Sequence, residues 1–407
     1  YVFGLLVAHL ADSDSGTGAQ ARRKTTTIVA AGLYLVNYSL GTHLLNGLET
    51  GILLALISGA SLYAWREGGS NIGVRSSIVL GLLLGLTILA RIDAGFFAAV
   101  VVVLVLSGRW GPKRQESQPF RRRVLAVSIM TVVATALTLP WWLYGINEFG
   151  SPIPISGLSQ QDLGSGPWSS LAETLSVSLD SLLPGLHSAA SWRLGGVAPL
   201  GLLIVGLVLG WLVLRRKATR RYPATTAPSI GPLLPIAASV GLLVIIYTTL
   251  FHAPHFQPRY LILLRVLGVA AYAFIAVRVL LSPQRGRSTL LRRFLPWTVL
   301  IAVFALNVVL TARLHRGDYP NTLIPTMQWI DENTRPSETI GVFQSGTLGY
   351  FYPDQVVNLD GKVNAAAYRS WTQGSLGDYV LSQRFSYVTD WPMYLERLSD
   401  SYAITEE

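Results

Sequence analysis

Apolar residues in this chain gather into runs separated by short polar stretches. The runs fall at about 25–41, 50–65, 77–90, 94–107, 124–144, 196–214, 232–250, 260–281 and 295–312, with a partial one at 1–10. Runs approaching twenty apolar residues are what a helix needs to cross a bilayer, so the pattern predicts a multi-span α-helical membrane protein with about ten spans. After Arg313 the pattern changes. "LIPTMQWIDENT" has helical period, with Ile324, Met327 and Ile330 on one side and a stop before Pro336. "TIGVF", "QVVNL" and "FSYVTD" are short β-rich runs, and their alternation with helix predicts a small α/β domain with parallel pairing. The expected division is a polytopic membrane domain over 1–312 and an extracytoplasmic α/β domain over 313–407.

Charge orients this arrangement. "ARRK", "WREGGSNIGVR", "GRWGPKRQESQPFRRR", "RRKATRRY" and "SPQRGRSTLLRR" alternate with neutral or acidic connections, and their neighbourhood holds few acids: Asp12, Asp14, Glu67 and Glu116. By the positive-inside rule these loops are cytoplasmic, which places 42–49, 91–93, 145–195, 251–259 and the C-terminal domain outside. The loop at 145–195 is rich in Gly, Ser and Pro, and its "LAETLSVSLDSLL" has the spacing of a helix lying in the interface.

In "ILARIDAGFF", Arg91 and Asp93 interrupt two apolar runs. A buried ion pair at mid-bilayer is costly. The loop charges require instead two short helices that meet at the triplet, near the outer face. On the same side lie Glu49 in "HLLNGLETG" and His252, His255, Gln257 and Arg259 in "FHAPHFQPRY". Irregular polar backbone at such depth needs protein or a watery cavity around it, so these stretches are expected to rim one site.

Composition agrees with a membrane protein: 51% hydrophobic, 13% charged, mean hydropathy +0.43. The net charge of +10 is loop charge of one sign rather than a nucleic-acid footprint, and the absence of Cys excludes disulfides and thiolate metal sites. The opening run "YVFGLLVAHL" is too short to span and no initiator Met precedes it, so a piece lacking its N-terminus is expected.

"NGLETGILLAL", "GLLLGLTILARIDAGFF", "PWWLYGINEFGSPIPISG", "HFQPRYLI" and "WIDENTRPSETIGVFQSGTLGYFYPDQVVNLDGKVN" occur in this order. Together the chain resembles bacterial integral-membrane glycosyltransferases of the C superfamily, whose relatives include protein O-mannosyltransferases, lipid A aminoarabinose transferases and arabinofuranosyltransferases. The resemblance implies a hexosyl- or pentosyltransferase of the cell envelope. It would move a sugar from a polyprenyl-phosphate donor to a glycan, lipid or protein acceptor on the outer face of the cytoplasmic membrane. Such families use a catalytic Asp in a first outer loop, which is expected upstream of Tyr1, so no general base is named. The partners implied are membrane lipid, the lipid-linked donor and the acceptor, without nucleic acid and without a cofactor.

The chemistry needs a cationic cradle for the departing phosphate, and Arg offers a donor fork with a permanent charge. Arg259 and Arg91 are the first candidates, weighed against interfacial snorkelling and, for Arg91, against neutralising Asp93. Arg265 lies deeper along the following run and either reaches the phosphate or pairs within the helices. Glu49 and Asp93 are accessory candidates for a base or for sugar hydroxyls, against a plain helix N-terminal carboxylate. His252 and His255 have the i, i+3 spacing of a metal pair, but Pro254, Pro258 and the lack of a third ligand make phosphate or sugar hydrogen bonding their expected use and no metal is expected. Asp360, Lys362 and Asn364 in "NLDGKVN" are acceptor-binding candidates at a strand end, against a turn followed by an Asn-capped helix. Trp141, Trp142 and Tyr144 are expected as aromatic-belt anchors. The competing function is a transporter or flippase for a lipid-linked or anionic envelope substrate, which would place its charges at the midplane in paired broken helices.

Overall fold

The computed structural model describes residues 17–45, 49–68, 72–108, 110–111, 119–152, 231–251, 257–280, 323–390 and 392–395, with a few single positions besides. The chain divides into two compact units, one of Tyr1–Pro140 with Gly164–His315 and one of Trp141–Leu163 with Arg316–Glu407.

In the first unit the described helices are α1 (Thr17–Val36), α2 (Tyr38–Leu45), α3 (Thr50–Gly68), α4 (Val74–Ala90), α5 (Gly95–Ser107), α6 (Phe120–Phe149, whose residues from Trp141 on belong to the second unit), α7 (Leu234–Ile246), α8 (Gln257–Tyr260) and α9 (Ile262–Leu280). A 3-10 turn at Gly231–Leu233 precedes α7 and a π turn at Tyr247–Phe251 follows it. Helix α3 packs on α4, α1 on α9, and α5 on α7. Their shared core includes Leu53, Ile57, Leu80, Leu84, Phe97, Ile236 and Val269.

The expectation of about ten spans is overturned. Among the described residues two helices are long and apolar enough to cross a membrane, Phe120–Phe149 and Gly231–Thr249. Hydropathy counts apolar runs but not where helices end. The run at 77–90 forms a 17-residue helix, roughly 26 Å long at 1.5 Å per residue and short of the ~30 Å hydrocarbon layer. The run at 94–107 forms one of 13 residues. The run at 25–41 breaks at Asn37, whose side chain accepts the Leu40 N–H at 2.9 Å, and the "ARRK" read as a loop lies inside α1. The runs at 196–214 and 295–312, and the segment "LAETLSVSLDSLL", fall almost wholly outside the described residues.

Helix α6 buries Ala126, Met130, Ala134 and Thr138, one residue every four, on a single stripe. The facing helix α4 offers Gly81 and Gly85. A Cβ on Gly81 would lie 2.8 Å from the Met130 carbonyl oxygen, and one on Gly85 3.2 Å from the Ala134 Cα. "GLLLG" is therefore a small-xxx-small contact, the means by which helices in lipid bring their backbones together.

The second unit holds α10 (Leu323–Asn333), β1 (Ile340–Val342), α11 (Ser345–Phe351), β2 (Val356–Asn358), α12 (Ala365–Thr372), α13 (Leu376–Gln383), β3 (Tyr387–Val388) and α14 (Pro392–Leu395). All three β-rich runs form strands, in the order β2-β1-β3, with β1 parallel to both neighbours. Alternation along β1 separates two cores. Ile340 and Val342 meet Ile330 and Leu348 on one face. On the other, Gly341 leaves room for Leu359 and Phe385, and the cluster of Phe343, Leu359, Leu376 and Val380 follows. Helix α10 turns slightly from its predicted face: Ile330 is buried and Leu323 and Met327 pack against that core, whereas Ile324 is exposed.

Candidate functional site

The site begins where α4 stops. Arg91 leaves the helix in an extended conformation, its N–H donating to the Thr87 carbonyl at 3.1 Å, and Ile92–Ala94 makes one 3-10 turn before α5. This break sends Arg91 and Asp93 into the protein, at 9% and 11% side-chain exposure. Arg91 Nε donates to Asp93 Oδ1 at 2.6 Å, Nη1 to the Arg259 carbonyl at 3.1 Å and Nη2 to the Tyr260 carbonyl at 3.2 Å. Its guanidinium lies 5.5 Å from the centre of the Tyr260 ring. Asp93 Oδ2 accepts the Tyr247 hydroxyl at 3.2 Å, and Tyr247 stacks on Tyr260 with ring centres 4.8 Å apart. Arg91 thus spends its donor fork on holding α8 and the start of α9 against the break.

A second ion pair stands beside the first. Arg259 Nη2 donates to both oxygens of Glu49 at 2.6 Å, with side-chain exposures of 29% and 24%. Glu49 sits at the mouth of α3, where its carbonyl accepts the Leu53 N–H at 2.9 Å. Burial alone would raise its carboxyl; the Arg259 hydrogen bond, its own backbone N–H and the charges of Arg259 and Arg91 outweigh that and hold it below the usual carboxylate range. Arg259 Nε is buried with no hydrogen-bond partner among the described residues.

Arg265, on α9, is buried in the same region. Its charge is felt at His43, on α2: burial first, then Arg265, Arg259 and Arg91, lower His43 to about 4, so the imidazole is neutral at physiological pH. The described residues of the cluster therefore hold two ion pairs, Arg91–Asp93 and Arg259–Glu49, with the Arg265 charge also felt at His43.

Of the sequence candidates, Glu49, Arg91, Asp93, Arg259 and Arg265 come together in this cluster. His252 and His255 lie outside the described residues. Asp360, Lys362 and Asn364 belong to the second unit, at the carboxyl end of β2. There Asp360 pairs with Lys362 Nζ at 2.6 Å and accepts the Lys362 N–H at 2.9 Å. Asn364 accepts the Ala366 and Ala367 N–H groups as the N-cap of α12 and donates to the Asn358 carbonyl. These bonds are those of a turn and a capped helix. Among the described residues no group of three His, Asp or Glu side chains is placed to hold a metal.

The sequence reading missed His43, Tyr247 and Tyr260. Tyr260 stood next to Arg259 in "QPRY", and His43 was the titratable side chain of a short helix, the first residue of "HLLNGLETG"; Tyr247 gave no local signal, since its partner Asp93 is 154 positions away.

The family described as Domain of unknown function (DUF8728) matches residues 314–406, less than a quarter of the chain. No curated protein and no solved structure matches the chain.

Proposed function

We propose that the chain is a membrane glycosyltransferase that moves a sugar from a polyprenyl-phosphate donor to a cell-envelope acceptor on the outer side of the cytoplasmic membrane. The observation that carries this reading is Arg259 itself, a partly exposed guanidinium paired with Glu49 through Nη2 alone, whose Nε has no partner among the described residues. A phosphate leaving group needs that charge as the glycosidic bond breaks. Arg91 keeps the Arg259 backbone in place through its bond to the Arg259 carbonyl.

The membrane setting supports the same reading. Helix α6 opens with Arg121, Arg122 and Arg123, against the sense of its own macrodipole, and ends with exposed Trp141 and Tyr144. Anionic lipid on the cytoplasmic side accounts for the arginines and an outer interface for the aromatic pair. Tyr247, in the last turns of the Gly231–Thr249 helix, reaches Asp93, which sets the ion pairs beside one end of a helix of spanning length.

Two experiments test the reading. Membranes containing the full protein are expected to transfer labelled sugar from polyprenyl-phosphate donors, with loss of transfer in Arg259→Ala; transfer unchanged by that substitution refutes the assigned role. On the Cys-free background, Ile146→Cys is expected to react with an impermeant thiol reagent from outside and Phe120→Cys only after permeabilisation. The reverse labelling refutes the orientation.

A further inference from the structure

Glu49 and Arg259 form an unusual pair for so short a contact. A carboxylate and a guanidinium at their best meet through two parallel N–H···O bonds from two nitrogens. Here one nitrogen, Nη2, serves both Glu49 oxygens, and the Nε donor has no partner among the described residues. The pair is held by charge without using the fork. It is also reachable, at 29% and 24% exposure.

Each partner is supported independently of the other. The Arg259 carbonyl is held by Arg91 Nη1, so the backbone bearing the guanidinium stays anchored if Glu49 leaves. Glu49 stands at the N-terminus of the 19-residue helix α3, with the Leu53 N–H on its carbonyl. A freed carboxylate there keeps the favourable end of the helix dipole. Separation therefore leaves neither charge stranded.

From this geometry we infer that Glu49 is a place-holder: its carboxylate occupies the Arg259 guanidinium at Nη2 until a phosphate group displaces it there. The inference rests on the transferase reading for the identity of the ligand, a prenyl phosphate, and adds the exchange that admits it. The alternative role, a fixed carboxylate that merely orients Arg259 while phosphate binds beside it, predicts the opposite effect of removing the charge.

The test measures binding of farnesyl phosphate, without any sugar, to the full protein in nanodiscs. Glu49→Gln is expected to bind about tenfold tighter than wild type, Arg259→Ala at least tenfold weaker, and the double variant like Arg259→Ala. Equal or weaker binding by Glu49→Gln, with an unfolding midpoint like wild type, overturns the exchange. Should Glu49→Gln fold poorly, the wild type still decides: adding farnesyl phosphate must shift the carboxylate stretch of isotope-labelled Glu in the difference infrared spectrum, and an unchanged stretch at saturation overturns the exchange. Inorganic phosphate is expected to give the same order of variants at lower affinity; affinity equal to that of farnesyl phosphate contradicts a lipid-linked ligand. The two readings separate cleanly. Tighter binding by Glu49→Gln in a protein that transfers no sugar keeps the exchange and removes the transferase, whereas sugar transfer with weaker Glu49→Gln binding does the reverse.

Discussion

Two ion pairs of the same chemistry and the same 2.6 Å separation lie side by side in this protein, yet their surroundings differ. Arg91 and Asp93 are two residues apart, nearly closed to solvent, and surrounded by partners: two backbone carbonyls, the Tyr247 hydroxyl and the Tyr260 ring. Glu49 and Arg259 are joined across 210 positions, remain partly open, and leave the buried Arg259 Nε without a partner among the described residues. Distance alone does not separate a structural pair from a ligand site. The satisfaction and exposure of donors do: the buried Arg91 spends Nε, Nη1 and Nη2 on partners within the fold, whereas the partly exposed Arg259 meets Glu49 through Nη2 alone.

The comparison is broken most forcefully at the closed pair. Arg91→Ala leaves Asp93 buried without its counter-charge and is expected to destabilise the fold by about 3–5 kcal/mol, visible as a large drop in the thermal unfolding midpoint. Arg259→Ala is expected to cost little stability, about 1 kcal/mol or less, but to lower sugar transfer about a hundredfold, near the loss for one charged donor to a developing negative charge. Removing the Tyr247 hydroxyl sharpens the contrast: Tyr247→Phe is expected to cost about 1–2 kcal/mol through the Asp93 bond it deletes, with transfer per folded molecule retained. Gly81→Val tests the helix packing behind both pairs and is expected to cost about 1–3 kcal/mol, because the added Cβ meets backbone rather than a movable side chain.

The smallest effect is on pH dependence. His43 takes up a proton near 6.5 when unfolded and near 4 when folded, so between those values the unfolded chain binds more protons. Stability is then complete above pH 6.5 and declines as pH falls toward 4, and Glu49, with its carboxyl depressed, adds a loss of the same sign at lower pH. His43→Gln is expected to remove the decline between 6.5 and 4 in unfolding midpoints measured against pH, while leaving the part below it.

Much of this was visible in the residues. Arg91 and Asp93 between two apolar runs marked the helix break, because charged groups do not continue an apolar helix without a partner. "TIGVF" and "QVVNL" marked their strands by composition. The number of spans was not readable, since an apolar run looks alike whether it faces lipid or a neighbouring helix: the apolar window of Phe120–Phe149 is 17% buried and that of Gly231–Thr249 is 44% buried. The pairing of Glu49 with Arg259 was beyond reach for a different reason. Both residues were candidates, but nothing local encodes a contact between the mouth of α3 and the turn before α9. "GLLLG" was in view and went unread, because its partner stripe on α6 is recognisable only once the two helices face each other.

The central claim is that Arg259 meets the ligand and Arg91 holds the fold. Measuring sugar transfer from a polyprenyl-phosphate donor together with the unfolding midpoint, in Arg259→Ala and Arg91→Ala, tests it most directly. The account predicts that Arg259→Ala loses transfer with its midpoint near wild type, while Arg91→Ala loses its midpoint first. Full transfer by a stable Arg259→Ala protein would contradict it.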